Sequence, residues 1–108
     1  PQMLKKALSH SLAIYLALDG DAVVGLVRLV GDGFSSIFVQ DLIVLPSYQR
    51  QGIGSDLMKE ALGDYKDAYQ VQLVTEQTEK TLGFYRSLGF ETLSTYDCTG
   101  MIWVDRKR

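Results

Sequence analysis

One stretch constrains this chain more than any other. An apolar run stops at a proline, crosses a short polar turn and re-enters order at a glycine-rich helix start: Val44-Leu45-Pro46-Ser47-Tyr48-Gln49-Arg50-Gln51-Gly52-Ile53-Gly54-Ser55. Residues 36–45 are rich in Ile, Phe, Val and Leu, as a strand is. Ile53, Leu57, Met58, Ala61, Leu62 and Tyr65 then recur at helical spacing. The glycines therefore fall at a strand-to-helix junction. A helix start presents backbone N–H groups without internal partners at the positive end of the helix dipole, and glycine lets an anion such as a phosphate approach them closely. The alternative is a glycine-softened helix start with no ligand.

Two familiar phosphate motifs do not fit. A P-loop requires Lys and then Ser or Thr directly after its last glycine, whereas Gly54 is followed by Ser55 and Asp56, and the nearest lysine is Lys59. A dinucleotide fingerprint requires a third small residue where Leu57 stands. What is left is Gln49-x-x-Gly52-x-Gly54.

The length of 108 residues allows one core, so a single domain over 1–108 is expected. With 46% hydrophobic and 22% charged residues, neither disorder nor a membrane span is indicated. The net charge of −2 argues against a nucleic-acid surface, which needs a clustered basic excess. The Arg106-Lys107-Arg108 tail reads as solvated. Cys98, the single cysteine, excludes an internal disulfide and fits a reducing compartment, so a cytoplasmic location is expected. With His10 the sole histidine and far away in sequence, Cys98 reads as incidental rather than as a nucleophile, and no metal site is expected.

In chain order, residues 3–10 read as a short helix. Residues 13–18, 22–30 and 36–45 read as three strands joined by the turns Asp19-Gly20-Asp21 and Gly31-Asp32-Gly33, hence an antiparallel meander. A helix over 52–66 is then a crossover, which makes the strand at 71–75 parallel to the one before it. A second helix spans 78–88, with Thr78 as N-cap and Gly89 just past its end. Residues 90–96 and 101–104 read as a closing hairpin around the turn at 97–100. The sum is an α/β mixed sheet, a meander followed by a parallel crossover pair and a C-terminal hairpin, with helices on the sheet faces.

The second informative motif is Thr78-x-x-Thr81-x-x-Phe84-Tyr85-Arg86-Ser87-Leu88-Gly89-Phe90. Gln49-x-x-Gly52-x-Gly54 resembles the Arg/Gln-x-x-Gly-x-Gly/Ala signature by which the GNAT acetyltransferase superfamily cradles the pyrophosphate of acetyl-CoA. Phe84-Tyr85-x-x-x-Gly89-Phe90 resembles the family's Phe/Leu-Tyr-x-x-x-Gly-Phe. Thr78 and Thr81 stand where that pattern usually carries Asn and Ala. The resemblance covers residues 13–104. The family usually opens with a further strand and helix ahead of the first helix, so either the chain is trimmed or that layer is missing.

The resemblance implies an acetyl-CoA-dependent N-acetyltransferase acting on a primary amine of a small molecule or peptide, without nucleic-acid or membrane partners and with a homodimer left open. By family position, Leu42, Ile43 and Val44 supply backbone N–H donors to the thioester carbonyl. Gln49, Arg50, Gln51, Gly52, Ile53, Gly54 and Ser55 hold the pyrophosphate, Thr78 meets the coenzyme, and Tyr85 protonates the departing thiolate. The attacking amine must shed a proton, its free pKa being about 10. Asp41, a carboxylate interrupting an apolar run, and Glu76, after the following strand, are the candidates. For Tyr85 the alternative is a packed core tyrosine, and for Asp41 an exposed charge or a structural hydrogen bond. The rival function is a non-catalytic acyl-CoA-binding or regulatory module that keeps the glycine cradle without the chemistry.

Overall fold

In a computed structural model, which describes residues 2–104, the chain divides into two compact units, Pro1–Thr75 and Glu76–Arg108. The first holds helix α1 (Gln2–Ser9), strands β1 (Ala13–Asp19), β2 (Ala22–Gly31) and β3 (Ser36–Val44), a 3₁₀ turn at Pro46–Tyr48, helix α2 (Ile53–Asp64) and strand β4 (Gln70–Leu73). The sheet order is β1-β2-β3-β4, with the first three strands antiparallel and β4 parallel to β3. The meander and the crossover thus form as the sequence implies, with element ends moved by a residue or two.

α2 lies over one face of this sheet. Leu57, Met58 and Ala61 project from it and are buried with Val27, Leu29, Ile37 and Val39. Full burial of a side chain such as Leu or Met contributes about 1.5–3 kcal/mol, so these residues, rather than intrinsic propensity, hold the helix on the sheet. Gly25 decides how near it comes. A Cβ there would lie 3.1 Å from Ile53 Cγ2 and 3.2 Å from Leu57 Cδ1, so a side chain at this position would crowd the two residues by which the start of α2 meets β2. On the opposite face, Arg28 reaches α1 through Nη1, which donates to the Ala7 carbonyl at 3.4 Å and to Ser11 Oγ at 3.2 Å.

The second unit is built differently. Helix α3 (Glu79–Ser87) is capped by Thr78, whose Oγ1 accepts from the Thr81 N–H at 3.2 Å, and Gly89 follows it at φ 99°. The Gly89 N–H donates to the Arg86 carbonyl and the Phe90 N–H to that of Tyr85, so the helix ends as its sequence dictates.

The closing hairpin expected at 90–96 and 101–104 does not form. Leu93–Tyr96 is a 3₁₀ turn, and residues 101–104 carry no strand. The cause is local competition for backbone groups. The N–H groups of Thr95, Asp97 and Cys98 donate to the carbonyls of Thr92, Ser94 and Leu93, and the Thr92 hydroxyl meets those of Ser94 and Thr95. Hydroxyl side chains closing short turns draw a chain away from a ladder, whatever its β-propensity. Asp97 turns left-handed at φ 57°, within the predicted turn. The basic tail at 106–108 lies outside the described residues.

Candidate active site

Within the first unit, the expected coenzyme residues collect where β3 ends and α2 begins. β3 pairs with β4 only from Ser36 to Val39, and its residues 40–44 run on beyond that ladder. On its other side it stays paired with β2, after a register shift that sets Asp41 opposite Arg28 and Val39 opposite Leu29, leaving Gln40 as the extra residue of a bulge. The Leu45 N–H donates to the Val24 carbonyl at 2.9 Å. Since backbone groups alternate sides along an antiparallel strand, Ile43 then also faces β2, whereas the N–H groups of Leu42 and Val44 point to the side β4 has left. Of the three residues expected to polarise a carbonyl, two therefore carry outward donors.

The turn that follows is shaped by its own side chains. Gln49 Nε2 donates to the Val44 carbonyl at 2.9 Å, and Gln51 Nε2 to that of Ser47 at 3.4 Å. Arg50 sits at φ 65° and Gly52 at φ 82°. A Cβ at Gly52 would meet nothing, so glycine is favoured there by its backbone angle rather than by crowding. Gly52 is the N-cap of α2 and no side chain caps the helix, so the N–H groups of Ile53, Gly54 and Ser55 open the helix without that satisfaction. The result is a strand edge and a bare helix start, both offering N–H donors.

Asp41 has a structural partner. Its Oδ2 accepts from Arg28 Nε at 2.7 Å, with the Arg28 side chain 14% and the Asp41 side chain 37% exposed. This pair explains how a carboxylate is tolerated within an apolar run. Sequence reading missed Arg28, although the signal was present: it is the one charge in the run 22–30, just as Asp41 is in its own. Gly25 was also missed. An isolated glycine inside a strand pattern marks a close approach of another element, and here that element is α2.

Beneath α2, a groove of about 420 Å³ is lined by Tyr15, Leu16, Ala17, Ile53, Asp56, Leu57 and Glu60. The Tyr15 hydroxyl donates to Asp64 Oδ2 at 2.7 Å, and burial, followed by that carboxylate, pushes its pKa far up.

Glu76, Thr78 and Tyr85 belong to the second unit. Glu76 is exposed, and the Thr78 oxygen is engaged as the cap of α3. The Tyr85 ring is half-buried and packs edge-on against Phe84 and Phe90, with centroids 5.0 and 5.8 Å apart. Both phenylalanines of the second motif thus serve to hold its tyrosine. Among the described residues no group of His, Cys, Asp and Glu could hold a metal ion, and no helix is long and apolar enough to cross a membrane.

Comparison with known proteins identifies the family of the chain. The family described as "Acetyltransferase (GNAT) domain" matches residues 10–92. A GNAT family acetyltransferase from Streptococcus pneumoniae TIGR4 superposes with a TM-score of 0.93 at 82% identity, covering 98% of this chain and 80% of that one. An acetyltransferase of the same family from Elizabethkingia anophelis, solved with acetyl-CoA bound, shares the fold at a TM-score of 0.70 and 22% identity, over 83% of this chain and 60% of that one. Among characterised sequences, Serotonin N-acetyltransferase 2, chloroplastic, from Oryza sativa subsp. japonica is 30% identical over 93 residues, which are 82% of this chain and 46% of that protein. GCN5-related N-acetyltransferase 1, chloroplastic, from Arabidopsis thaliana is 31% identical over 79% of this chain and 43% of that protein. The chain thus spans about half the length of these two relatives. With a glycine-opened helix start beside a strand edge, and a domain match over most of its length, the chain belongs to the GNAT acetyltransferase family.

Proposed function

We propose that this chain transfers an acetyl group from acetyl-CoA to a primary amine of a small molecule or peptide. The observation that carries the reading is the uncapped start of α2, with Arg50 and Gly52 in left-handed conformations ahead of it and the outward N–H groups of Leu42 and Val44 on the adjoining strand end. Helix-start donors suit a pyrophosphate, and strand-edge donors suit the oxygen of a thioester as it becomes an oxyanion. That the rice relative is named for serotonin, itself a primary amine, supports the acceptor class.

In this reading the amine nitrogen attacks the thioester carbon, and the carbonyl oxygen gains charge opposite the Leu42 and Val44 N–H groups. Collapse then breaks the C–S bond and expels the CoA thiolate. Residues 49–55, through Gln49, Arg50, Gln51, Gly52, Ile53, Gly54 and Ser55, hold the pyrophosphate, and Ile43 keeps the strand end on β2. Thr78, whose oxygen caps α3, still has its O–H to donate to the coenzyme. Tyr85 is assigned by its motif position to protonate the thiolate. Glu76, being exposed, is the readier acceptor for the amine's proton, directly or through water. Asp41, with Oδ2 engaged by Arg28, would act through its other oxygen. Asp41→Asn separates these roles: altered amine kinetics with intact stability makes it a participant, whereas lost stability with unchanged kinetics makes it an anchor.

The test is release of CoA thiol from acetyl-CoA in the presence of a panel of primary amines, paired with a thermal shift by acetyl-CoA alone. Amine-dependent release is expected, together with a raised melting temperature that Gly52→Asp abolishes. A thermal shift without transfer to any amine would favour a non-catalytic acyl-CoA-binding module. Neither effect would sink both readings.

A further inference from the structure

We propose that Tyr48 and Asp19 form a latch that positions the turn at residues 46–52 for the coenzyme, Tyr48 being a positioning residue that acts through the turn's backbone. The inference rests on reading that turn as the pyrophosphate cradle. The helix-start donors of the cradle are anchored, because α2 is pinned to the sheet by Leu57, Met58 and Ala61. The turn ahead of them is not held that way. None of residues 46–52 is buried, and the side-chain hydrogen bonds of Gln49 and Gln51 close within a few residues, onto Val44 and Ser47. The Gln51 bond fixes the turn's internal shape, and the Gln49 bond ties it only to the end of β3, the strand the turn leaves.

Tyr48 supplies a bond of another range. Its hydroxyl donates to Asp19 Oδ2 at 2.5 Å, across 29 positions of sequence, to the end of β1 where the hairpin turns through Gly20 at φ 61°. A hydroxyl donating to a carboxylate is a short, charge-assisted bond, stronger than a neutral one. The bond to Asp19 also raises the Tyr48 pKa, so the hydroxyl remains a donor throughout the neutral range. The β1–β2 hairpin is itself fixed by its ladder, so the latch refers the turn to the sheet. A turn held in place before the coenzyme arrives spares the ordering cost that binding would otherwise carry. The sequence offers no hint of this pairing, since Asp19 reads only as a turn residue and Tyr48 only as part of a motif.

The experiment is a double-mutant cycle on acetyl-CoA affinity, with wild type, Tyr48→Phe, Asp19→Ala and the double variant each titrated calorimetrically with acetyl-CoA and melted without it. Each single change is expected to weaken binding roughly 3- to 10-fold, the range for one hydrogen bond, with the double variant no weaker than the singles. The variants should remain fully folded at the titration temperature with melting temperatures lowered by only a few degrees, and under that condition a tie that merely held the fold together would leave affinity unchanged. Wild-type affinity in either single variant, or multiplying losses in the double, would overturn the latch. Failure of the wild type to bind acetyl-CoA would overturn the cradle reading itself, and that result is visible before any variant is made.

Discussion

The two units are held together by different means. In Pro1–Thr75 a four-stranded sheet and one helix enclose eight buried apolar residues, from Val24 to Ala61. In Glu76–Arg108 no described residue is buried, and order comes from a helix cap, a glycine-terminated helix end, hydroxyl-closed turns and one aromatic cluster. Long-range burial yields stability that depends on shape, whereas short-range hydrogen bonds yield stability that depends on single groups. The candidate residues differ accordingly: Leu42 and Val44 sit on ladder-bound backbone and the start of α2 on packed backbone, whereas Tyr85 rests on Phe84 and Phe90.

The sharpest way to break this contrast is through the core of the first unit. Met58 is fully buried, so Met58→Ala should cost about 2–5 kcal/mol in chemical or thermal unfolding. A loss under 1 kcal/mol would mean that α2 is not held by that burial.

In the second unit the largest expected effect is on chemistry rather than on folding. Tyr85→Phe keeps the ring that packs on Phe84 and Phe90 and removes only the hydroxyl. Turnover is expected to fall on the order of 10²-fold with little change in acetyl-CoA affinity, as for loss of a general acid. Undiminished turnover, with chemistry established as the slow step, would move Tyr85 to a packing role.

A smaller effect probes the cap. Thr78→Ala removes the oxygen that accepts from the Thr81 N–H and should destabilise α3 by about 1 kcal/mol. Amide hydrogen exchange is the suitable measurement, with faster exchange confined to the start of α3. Faster exchange spreading beyond α3 would show that loss of the cap does not act locally.

The smallest effect is a pH dependence in the first unit. Asp32 accepts from the Ser35 hydroxyl and from the N–H groups of Phe34, Ser35 and Ser36, and these bonds, the hydroxyl foremost, hold its pKa well below the usual carboxylate range. Because the folded value is depressed, the stabilisation is complete above the unfolded carboxylate pKa of about 3.9 and is lost as pH falls below it. Wild type should therefore exceed Asp32→Ala in melting temperature at neutral pH, with the gap narrowing under acid. A gap that is constant across that range would assign the loss to the loop's backbone instead.

The sequence was most legible where structure is decided over a few residues. Thr78 caps α3, Gly89 follows it left-handed, Gly52 opens α2 and the meander turns fall where predicted, because each rests on a backbone angle or a hydrogen bond spanning four residues or fewer. The crossover was legible too, since a helix between two strands all but forces them parallel. The closing hairpin was not. The β-prone composition of 90–96 suits a sheet, but a strand also needs a ladder partner, and the hydroxyls of Thr92, Ser94 and Thr95 bond nearer groups.

What the tertiary structure alone decided are the pairings between distant residues. The sequence contains Arg28 and Asp41, Tyr48 and Asp19, and Gly25 and Ile53, yet nothing local matches one to the other. A one-residue bulge at Gln40 determines that Arg28 faces Asp41, and the packing of α2 determines that Gly25 has little room for a side chain. Such contacts follow from register and helix placement, which are set by the burial of a whole face rather than by any single residue. The sequence by itself thus determined the elements, their order and the chemistry on offer, whereas the fold decided which carboxylate is tied to a guanidinium and which strand N–H groups point away from β2.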